Sequence, residues 1–182
     1  LIGHTIDDSA GEAFDKVGRM LQLPYPGGPE IEKHARSGNP KAFAFPRAVL
    51  KDAPFNFSFS GLKTAVLYQL QKLADPQDHL ADICASFQAA VIDALLKKTI
   101  KAARENGHSL ITLSGGVACN RALQDALIRA AGSNGMKVQP SPSSLTTDNA
   151  GMIAFAALLA SENREPDDLG IGIDPNLPLA PA

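Results

Sequence analysis

The chain has 182 residues, of which 45% are hydrophobic and 20% are charged. This profile is typical of a globular protein with one sizeable core, and it excludes disorder and collagen-like fibres. A net charge of -2 and a pI near 6.1 exclude a global basic field, so any RNA contact would need a local patch or a partner subunit. The two cysteines, Cys84 and Cys119, lack CxxC spacing and indicate a reducing cytoplasm.

The N-terminal part of the chain predicts two short helices. Asp8 and Ser9 are expected to cap a helix whose apolar positions in 10–21 follow helical spacing. Pro29 suits the first turn of a second helix that runs through Ala35. We expect no secretory signal, since no basic-then-apolar segment opens the sequence. Because the chain runs almost directly into the first of them, we expect it to be a piece of a longer protein.

Segment 39–75 is rich in phenylalanine and interrupted by prolines. At 55–59 phenylalanine alternates with small polar residues, which indicates a short extended segment with one buried face. Ser60 is expected to cap a helix that runs to about Leu73. The segment is therefore predicted to be an ordered helical and extended excursion within a single unit, 1–182.

The second half of the chain predicts one long helix and then alternating strands and helices. The amphipathic pattern from Leu80 to Asn106 would span roughly 45 Å. No apolar run is expected to cross a membrane, since the longest candidate, 152–160, is too short. The alternation indicates an α/β fold with a small mixed sheet. The elements expected after the long helix are strand 109–114, a helix to about Ala131, strand 136–138, helix 149–159 and an edge strand at 169–173.

A glycine-containing loop, 114–121, joins a predicted strand to a predicted helix. Gly115 and Gly116 would let a ligand approach the backbone without meeting a Cβ, and a helix start offers unpaired N–H groups to phosphate or to nucleobase edges. A nucleotide-pocket loop and an ordinary strand-to-helix turn fit the octapeptide about equally well. Cys119 is expected to be a small packing residue.

Three acids of the first helix, Asp8, Glu12 and Asp15, fall on one helical face. The face is either solvated or, at Asp15, placed to accept the hydroxyls of a ribose. Lys63 is an expected anion contact. Asp148 at the start of the last helix either caps that helix or binds a metal ion, although one carboxylate does not make a metal site.

Five motifs in order give the chain a resemblance to a known family. It is similar, along essentially its whole length, to the tRNA adenosine threonylcarbamoyltransferase family, formerly labelled O-sialoglycoprotein endopeptidases. The motifs are DSAGEAFDK at 8–16, YPGGP at 25–29, FSFSGLKT at 57–64, GGVACNR at 115–121 and TDNA at 147–150.

The resemblance implies an actin-like, two-lobed fold of the sugar kinase and Hsp70 superfamily. Residues 1–182 would be the C-terminal portion of the second lobe, with the N-terminal lobe absent. The implied reaction is an acyl transfer that moves a threonylcarbamoyl group from its adenylate to adenosine 37 of tRNAs that read codons beginning with A. The implied location is the cytoplasm, or mitochondria in a eukaryote, and the isolated chain is expected to be inactive.

The resemblance also implies roles for particular residues. Asp15, Gly28 and Asn120 would contact the adenylate, or ATP or ADP, in the cleft, with Gly115 and Gly116 lining it. Asp148 would bind one iron or zinc ion per subunit together with a His-x-x-x-His pair, which this sequence lacks. No general base is assigned. Implied partners are tRNA, a synthase that supplies the adenylate and, in bacteria, a dimerisation paralogue and a small ATPase, with no membrane.

Three other functional classes compete with this interpretation. A sugar kinase or Hsp70-like ATPase would share the fold but turn over ATP as its main activity. A non-catalytic nucleotide-binding fragment is the closest rival for this chain. A metalloprotease is disfavoured because no HExxH motif is present.

Overall fold

A computed structural model of the chain describes residues 1–162 together with 165, 168, 170 and 172. The predicted helices and the strands before residue 162 are present, with shifted ends. The edge strand expected at 169–173 lies outside the described residues. The elements are α1 (Ala10–Met20), α2 (Gly27–Ala35), α3 (Ser60–Leu70), α4 (Leu80–Glu105), β1 (Leu110–Leu113), α5 (Arg121–Gly132), β2 (Lys137–Pro140) and α6 (Ala150–Ser161), with single 3-10 turns at Gln77–His79, Gly116–Cys119 and Ser143–Leu145.

The core is built around the first half of α4. Its side chains Ile83, Phe87 and Val91 are fully buried against apolar residues of α1, α2 and α3. The rings of Phe14 and Phe87 meet edge to face with their centroids 5.2 Å apart. Burial of each such side chain contributes about 1.5–3 kcal/mol to folding, so α4 organises the other helices.

The apolar character of α4 also corrects one sequence prediction. The stretch Gln77–Glu105 is long and apolar enough to cross a membrane by length and composition, although the sequence analysis expected no such run. Half of its most apolar window lies inside this fold. Its composition is therefore that of a core helix.

The described sheet is parallel, not mixed, and it has two strands. Leu110 pairs with Lys137 and Leu113 with Pro140, and α5 makes the connection between the strands. A second small cluster, which includes Ile111 and Leu127, packs this unit on the C-terminal half of α4. The arrangement is a βαβ unit beside a helical core.

The excursion 39–75 covers the helical core. Phe45 and Phe59 are buried, and Phe57 packs against the same cluster. Phe57 also forms an isolated parallel bridge with Thr5, which accounts for the extended character of 55–59.

The structure confirms one predicted helix cap and corrects another. At α1 the prediction is confirmed: the Ser9 hydroxyl accepts a hydrogen bond from the Glu12 backbone, and the Glu12 carboxylate accepts one from the Ser9 backbone. At α3 the prediction of a Ser60 cap is wrong. The Asp7 carboxylate instead accepts hydrogen bonds from the backbone N–H groups of Phe59 at 2.8 Å and Ser60 at 3.3 Å.

The last helix, α6, differs from the others because none of its residues is buried. It is apolar on all sides, and Ile153, Phe155 and Leu158 are 63%, 61% and 60% exposed. A helix that is apolar all round is normally an interior element. In the described chain it therefore presents an uncovered apolar surface.

Candidate functional site

A cavity of about 320 Å³ lies between the α1–α2 pair and the glycine loop. Its walls combine apolar, carboxylate and amide side chains with glycine backbone. The lining residues are Gly11, Phe14, Asp15, Pro26, Gly28, Pro29, Glu32, Gly116, Val117, Cys119, Asn120 and Thr147. Three of the residues assigned to the adenylate by resemblance, Asp15, Gly28 and Asn120, thus meet at one cavity although they are far apart in the sequence.

The first wall is the junction of α1 with α2. The Asp15 carboxylate accepts a hydrogen bond of 2.8 Å through Oδ1 from the backbone N–H of Gly27. Among the described residues its Oδ2 has no hydrogen-bond donor, so that oxygen is available to a ligand. Gly18 and Gly27 make the close crossing feasible, because a Cβ on Gly27 would lie 2.6 Å from the carbonyl oxygen of Phe14.

The opposite wall is the glycine loop, which joins β1 to α5 as predicted. The sequence did not predict the 3-10 turn Gly116–Cys119, which begins at the second glycine and precedes α5. Gly115 has a φ of +89°, in the left-handed region that favours glycine. Gly116 lines the cavity, whereas Gly115 is not among the lining residues.

Asn120 is the N-cap of α5. Its Oδ1 accepts a hydrogen bond of 2.9 Å from the backbone N–H of Leu123. Its Nδ2 donates one of 2.7 Å to Oε1 of Gln88, on α4. Both side chains are buried. Asn120 therefore holds a fixed orientation at the cavity wall and joins the glycine loop to the core.

Cys119 lies beside Asn120 in a different environment from the one predicted. It was expected to be a small packing residue, but it is exposed and lines the cavity. The residue that packs in this turn is Ala118, which is buried.

The three acids that were predicted to share one face of α1 have different surroundings, and Asp8 lies just before the helix. Glu12 belongs to the helix cap and Asp15 faces the cavity. Asp8 binds two ammonium groups, Lys16 Nζ at 2.6 Å and Lys63 Nζ at 2.7 Å. The hydrogen bonds from Lys16 and Lys63 hold the pKa of the Asp8 carboxyl below its usual value. Lys63 was expected to contact an anion, and in the structure its ammonium group pairs with the Asp8 carboxylate.

Asp148 is exposed and directly follows Thr147, a lining residue. It does not cap α6, because the Asn149 side chain accepts the hydrogen bond from the backbone N–H of Met152 at 2.8 Å. In the part of the chain that the structure describes, no three His, Cys, Asp or Glu side chains group closely enough to hold a metal ion. One exposed carboxylate is not by itself an iron or zinc site, because protein sites for these ions use at least three ligands.

Glu32 is a cavity residue that the sequence analysis missed. Its Oε1 accepts a hydrogen bond of 3.0 Å from the backbone N–H of Arg121, which connects α2 to the start of α5. The available signal was helical spacing, since Glu32 lies one turn after Gly28 on the same face of α2. The cavity therefore contains a second carboxylate besides Asp15.

A family profile described as tRNA N6-adenosine threonylcarbamoyltransferase matches residues 1–155. Relatives of that name occur in Syntrophotalea carbinolica and Geobacter sulfurreducens. The first is 48% identical over 182 residues, which cover 98% of this chain and 53% of the relative. The second is 54% identical over 155 residues, which cover 84% of this chain and 45% of the relative. The chain thus spans about half the length of these relatives.

Two solved structures share the fold. HypF of T. kodakarensis superposes with a TM-score of 0.63 at 23% identity, over 85% of this chain and 20% of that one. A full-length HypF in a phosphate- and nucleotide-bound form gives a TM-score of 0.55 at 20% identity, over 74% and 18% of the two chains. At these identities the likeness concerns the fold alone. The profile match across 1–155 is what decides the family: this chain belongs to the tRNA N6-adenosine threonylcarbamoyltransferases.

Proposed function

We propose that the whole protein transfers a threonylcarbamoyl group from threonylcarbamoyl-adenylate to the exocyclic amine of adenosine 37 in tRNAs that read codons beginning with A. The observation that carries this proposal is the convergence of Asp15, Gly28 and Asn120 on one cavity. The family membership supports the same reaction. Because the chain spans about half of its relatives, the activity is proposed for the whole protein.

The cavity supplies what an adenylate needs. Phe14 and Val117 offer apolar surface to the adenine ring. Asp15 and Glu32 offer carboxylate oxygens to the ribose hydroxyls, and the Asn120 amide can donate to a ring nitrogen. The cavity's volume of about 320 Å³ falls at the lower end of the range for small-molecule sites. The chain's contribution to the reaction is to bind and orient the donor.

We also propose that the chain is the C-terminal portion of the second lobe of an actin-like fold, with its first lobe in the remaining length of the protein. The α/β fragment with a parallel pair of strands and the likeness to HypF support this assignment. One of the two HypF structures is of a phosphate- and nucleotide-bound form. Nucleotide binding by a related fold agrees with an adenylate in the cavity described above.

The proposed partners and location follow from the family. They are tRNA as acceptor, a synthase that supplies the adenylate and, in a bacterium, a dimerisation paralogue and a small ATPase, all in the cytoplasm. Asp148 is proposed as one ligand of an iron or zinc ion whose other ligands lie elsewhere in the whole protein. We derive no step of the transfer through that ion, because the described residues do not form its site.

The test is transfer of threonylcarbamoyl from synthetic threonylcarbamoyl-adenylate to tRNA by the whole protein and by its Asp15→Asn variant. Asparagine retains an oxygen for the Gly27 N–H group but loses the charge offered to the ribose. We expect kcat/KM to fall by roughly 10- to 100-fold, the effect of losing a hydrogen bond to a charged group. The control is Asp52→Asn at an exposed acid outside the cavity, which should leave transfer unchanged.

Full activity of Asp15→Asn would contradict the assignment of Asp15. ATP hydrolysis as the main activity, without transfer, would favour the sugar kinase or Hsp70-like class. Adenylate binding without transfer or hydrolysis would favour a non-catalytic binding protein.

A further inference from the structure

Gln88 is a buried polar side chain on the core helix that the proposed function does not use. It is 8% exposed and follows Phe87, which packs in the centre of the apolar core. A polar group in this position is costly unless it is hydrogen-bonded. Its Oε1 accepts the 2.7 Å hydrogen bond from Nδ2 of Asn120, a cavity residue.

The two partners of Asn120 fix which way its amide faces. The N-terminus of α5 presents an N–H group, that of Leu123, and so requires the oxygen. Gln88 presents an oxygen and so requires the nitrogen. An amide NH₂ group has two hydrogens, and Gln88 takes one of them. No described residue accepts the other hydrogen, and Asn120 lines the cavity.

We infer that Gln88 is a positioning residue for the adenylate: through its hydrogen bond to Asn120 it keeps an N–H donor at the cavity. The inference rests on the proposed function, because the ligand is the adenylate. Without the oxygen of Gln88, the Asn120 amide keeps its cap on α5 but its nitrogen loses the partner that fixes the plane of the group. The donor is then less well aligned with an acceptor nitrogen of the adenine ring.

The same helix provides a matched control. Ser86 is fully buried, and its hydroxyl accepts a hydrogen bond of 3.1 Å from the Phe43 backbone and donates one of 3.1 Å to the carbonyl oxygen of Asn39. It therefore connects α4 to the excursion 39–75, as Gln88 connects α4 to the glycine loop. Ser86 is not a lining residue of the cavity.

The experiment compares Gln88→Met, Gln88→Glu and Ser86→Ala in the whole protein, with threonylcarbamoyl-adenylate and tRNA as substrates. Methionine keeps the length of the side chain but removes the acceptor, so KM for the adenylate should rise roughly tenfold with little change in kcat, as one lost hydrogen bond predicts. Glutamate keeps an acceptor oxygen and should restore much of the affinity. Ser86→Ala should lower the thermal midpoint without changing KM.

Two results would overturn the inference. One is an unchanged KM in Gln88→Met, and the other is an equal rise of KM in Ser86→Ala. If Gln88→Met does not fold, Gln88→Asn serves instead. Its side chain is one methylene shorter, so its oxygen no longer reaches Asn120, and the same rise in KM is expected. Failure of the proposed function would look different, because the unsubstituted protein would then show no transfer.

Discussion

Asp148 illustrates how much a single side chain depends on its neighbours. It is exposed and directly follows Thr147, a cavity residue. The sequence left open whether Asp148 caps α6, and in the structure Asn149 is the cap. Asp148 therefore caps no helix, and its assignment to a metal ion comes from the family resemblance. The described residues do not supply the companions that a metal ion requires.

We therefore predict how one substitution changes the metal content of the whole protein. Asp148→Asn should lower the iron or zinc bound per subunit severalfold, because an amide is a weaker ligand than a carboxylate. The fold should be unaffected, since the side chain is exposed. Elemental analysis of purified protein measures the metal, and Asp52→Asn is the control. An unchanged metal content in Asp148→Asn would show that Asp148 is not a ligand.

The cap of α3 comes from a residue that is distant in the sequence, Asp7, and not from the local candidate, Ser60. Ser60 precedes an apolar pattern as a cap should, yet it becomes the first residue of α3. The Asp7 carboxylate, which comes from before α1, already binds the N–H groups of Phe59 and Ser60. An acid at a helix start also interacts favourably with the helix dipole.

We expect Asp7→Ala to destabilise the fold by about 1–2 kcal/mol, the usual effect of losing a helix cap. Ser60→Ala should change the free energy of unfolding by less than about 0.5 kcal/mol, as for a surface substitution. Denaturant unfolding of both variants in the whole protein measures the difference. The assignment of the cap to Asp7 would be wrong if Ser60→Ala proved the more destabilising of the two.

The sequence predicted α1, α3, α4 and α5 well because apolar residues recur in them at helical spacing. It predicted their ends less well, because Asp7 reaches α3 only once the chain has folded. Asp15, Gly28 and Asn120 were identified through the family resemblance, and only the fold brings them to one cavity. Glu32 was missed because its helical spacing from Gly28 indicates a ligand contact only once Gly28 is known to line a cavity. The 3-10 turn before α5 was missed because a glycine pair is compatible with several loop conformations.

In the part of the chain that the structure describes, the surface of α6 is uncovered. Phe155 and Leu158 are more than half exposed, on a helix with no buried residue. Contiguous apolar surface of this kind is rare on monomers and promotes association. The sequence predicted the helix but not its exposure, because periodicity says nothing about a helix that is apolar on all sides.

We therefore predict that the 182-residue chain on its own self-associates at micromolar concentration and binds a hydrophobic dye. The double variant Phe155→Lys with Leu158→Lys should reduce both effects. Val49→Lys, at a residue 83% exposed in the excursion 39–75, should not. Sedimentation velocity and dye fluorescence provide the measurements. A monodisperse wild-type chain without dye binding would contradict the prediction.

The crossing of α1 with α2 at Gly18 and Gly27 has a consequence for how the cavity adapts to its ligand. A Cβ on Gly18 would lie 2.8 Å from the Cα of Gly27, so the two backbones already touch. A larger ligand could widen this side of the cavity only by moving α1 and α2 apart, and both helices belong to the core. The opposite wall has open space beside Gly115 and Gly116. We expect that the α1–α2 side of the cavity limits the size of the nucleotide and that the glycine-loop side has room for larger groups.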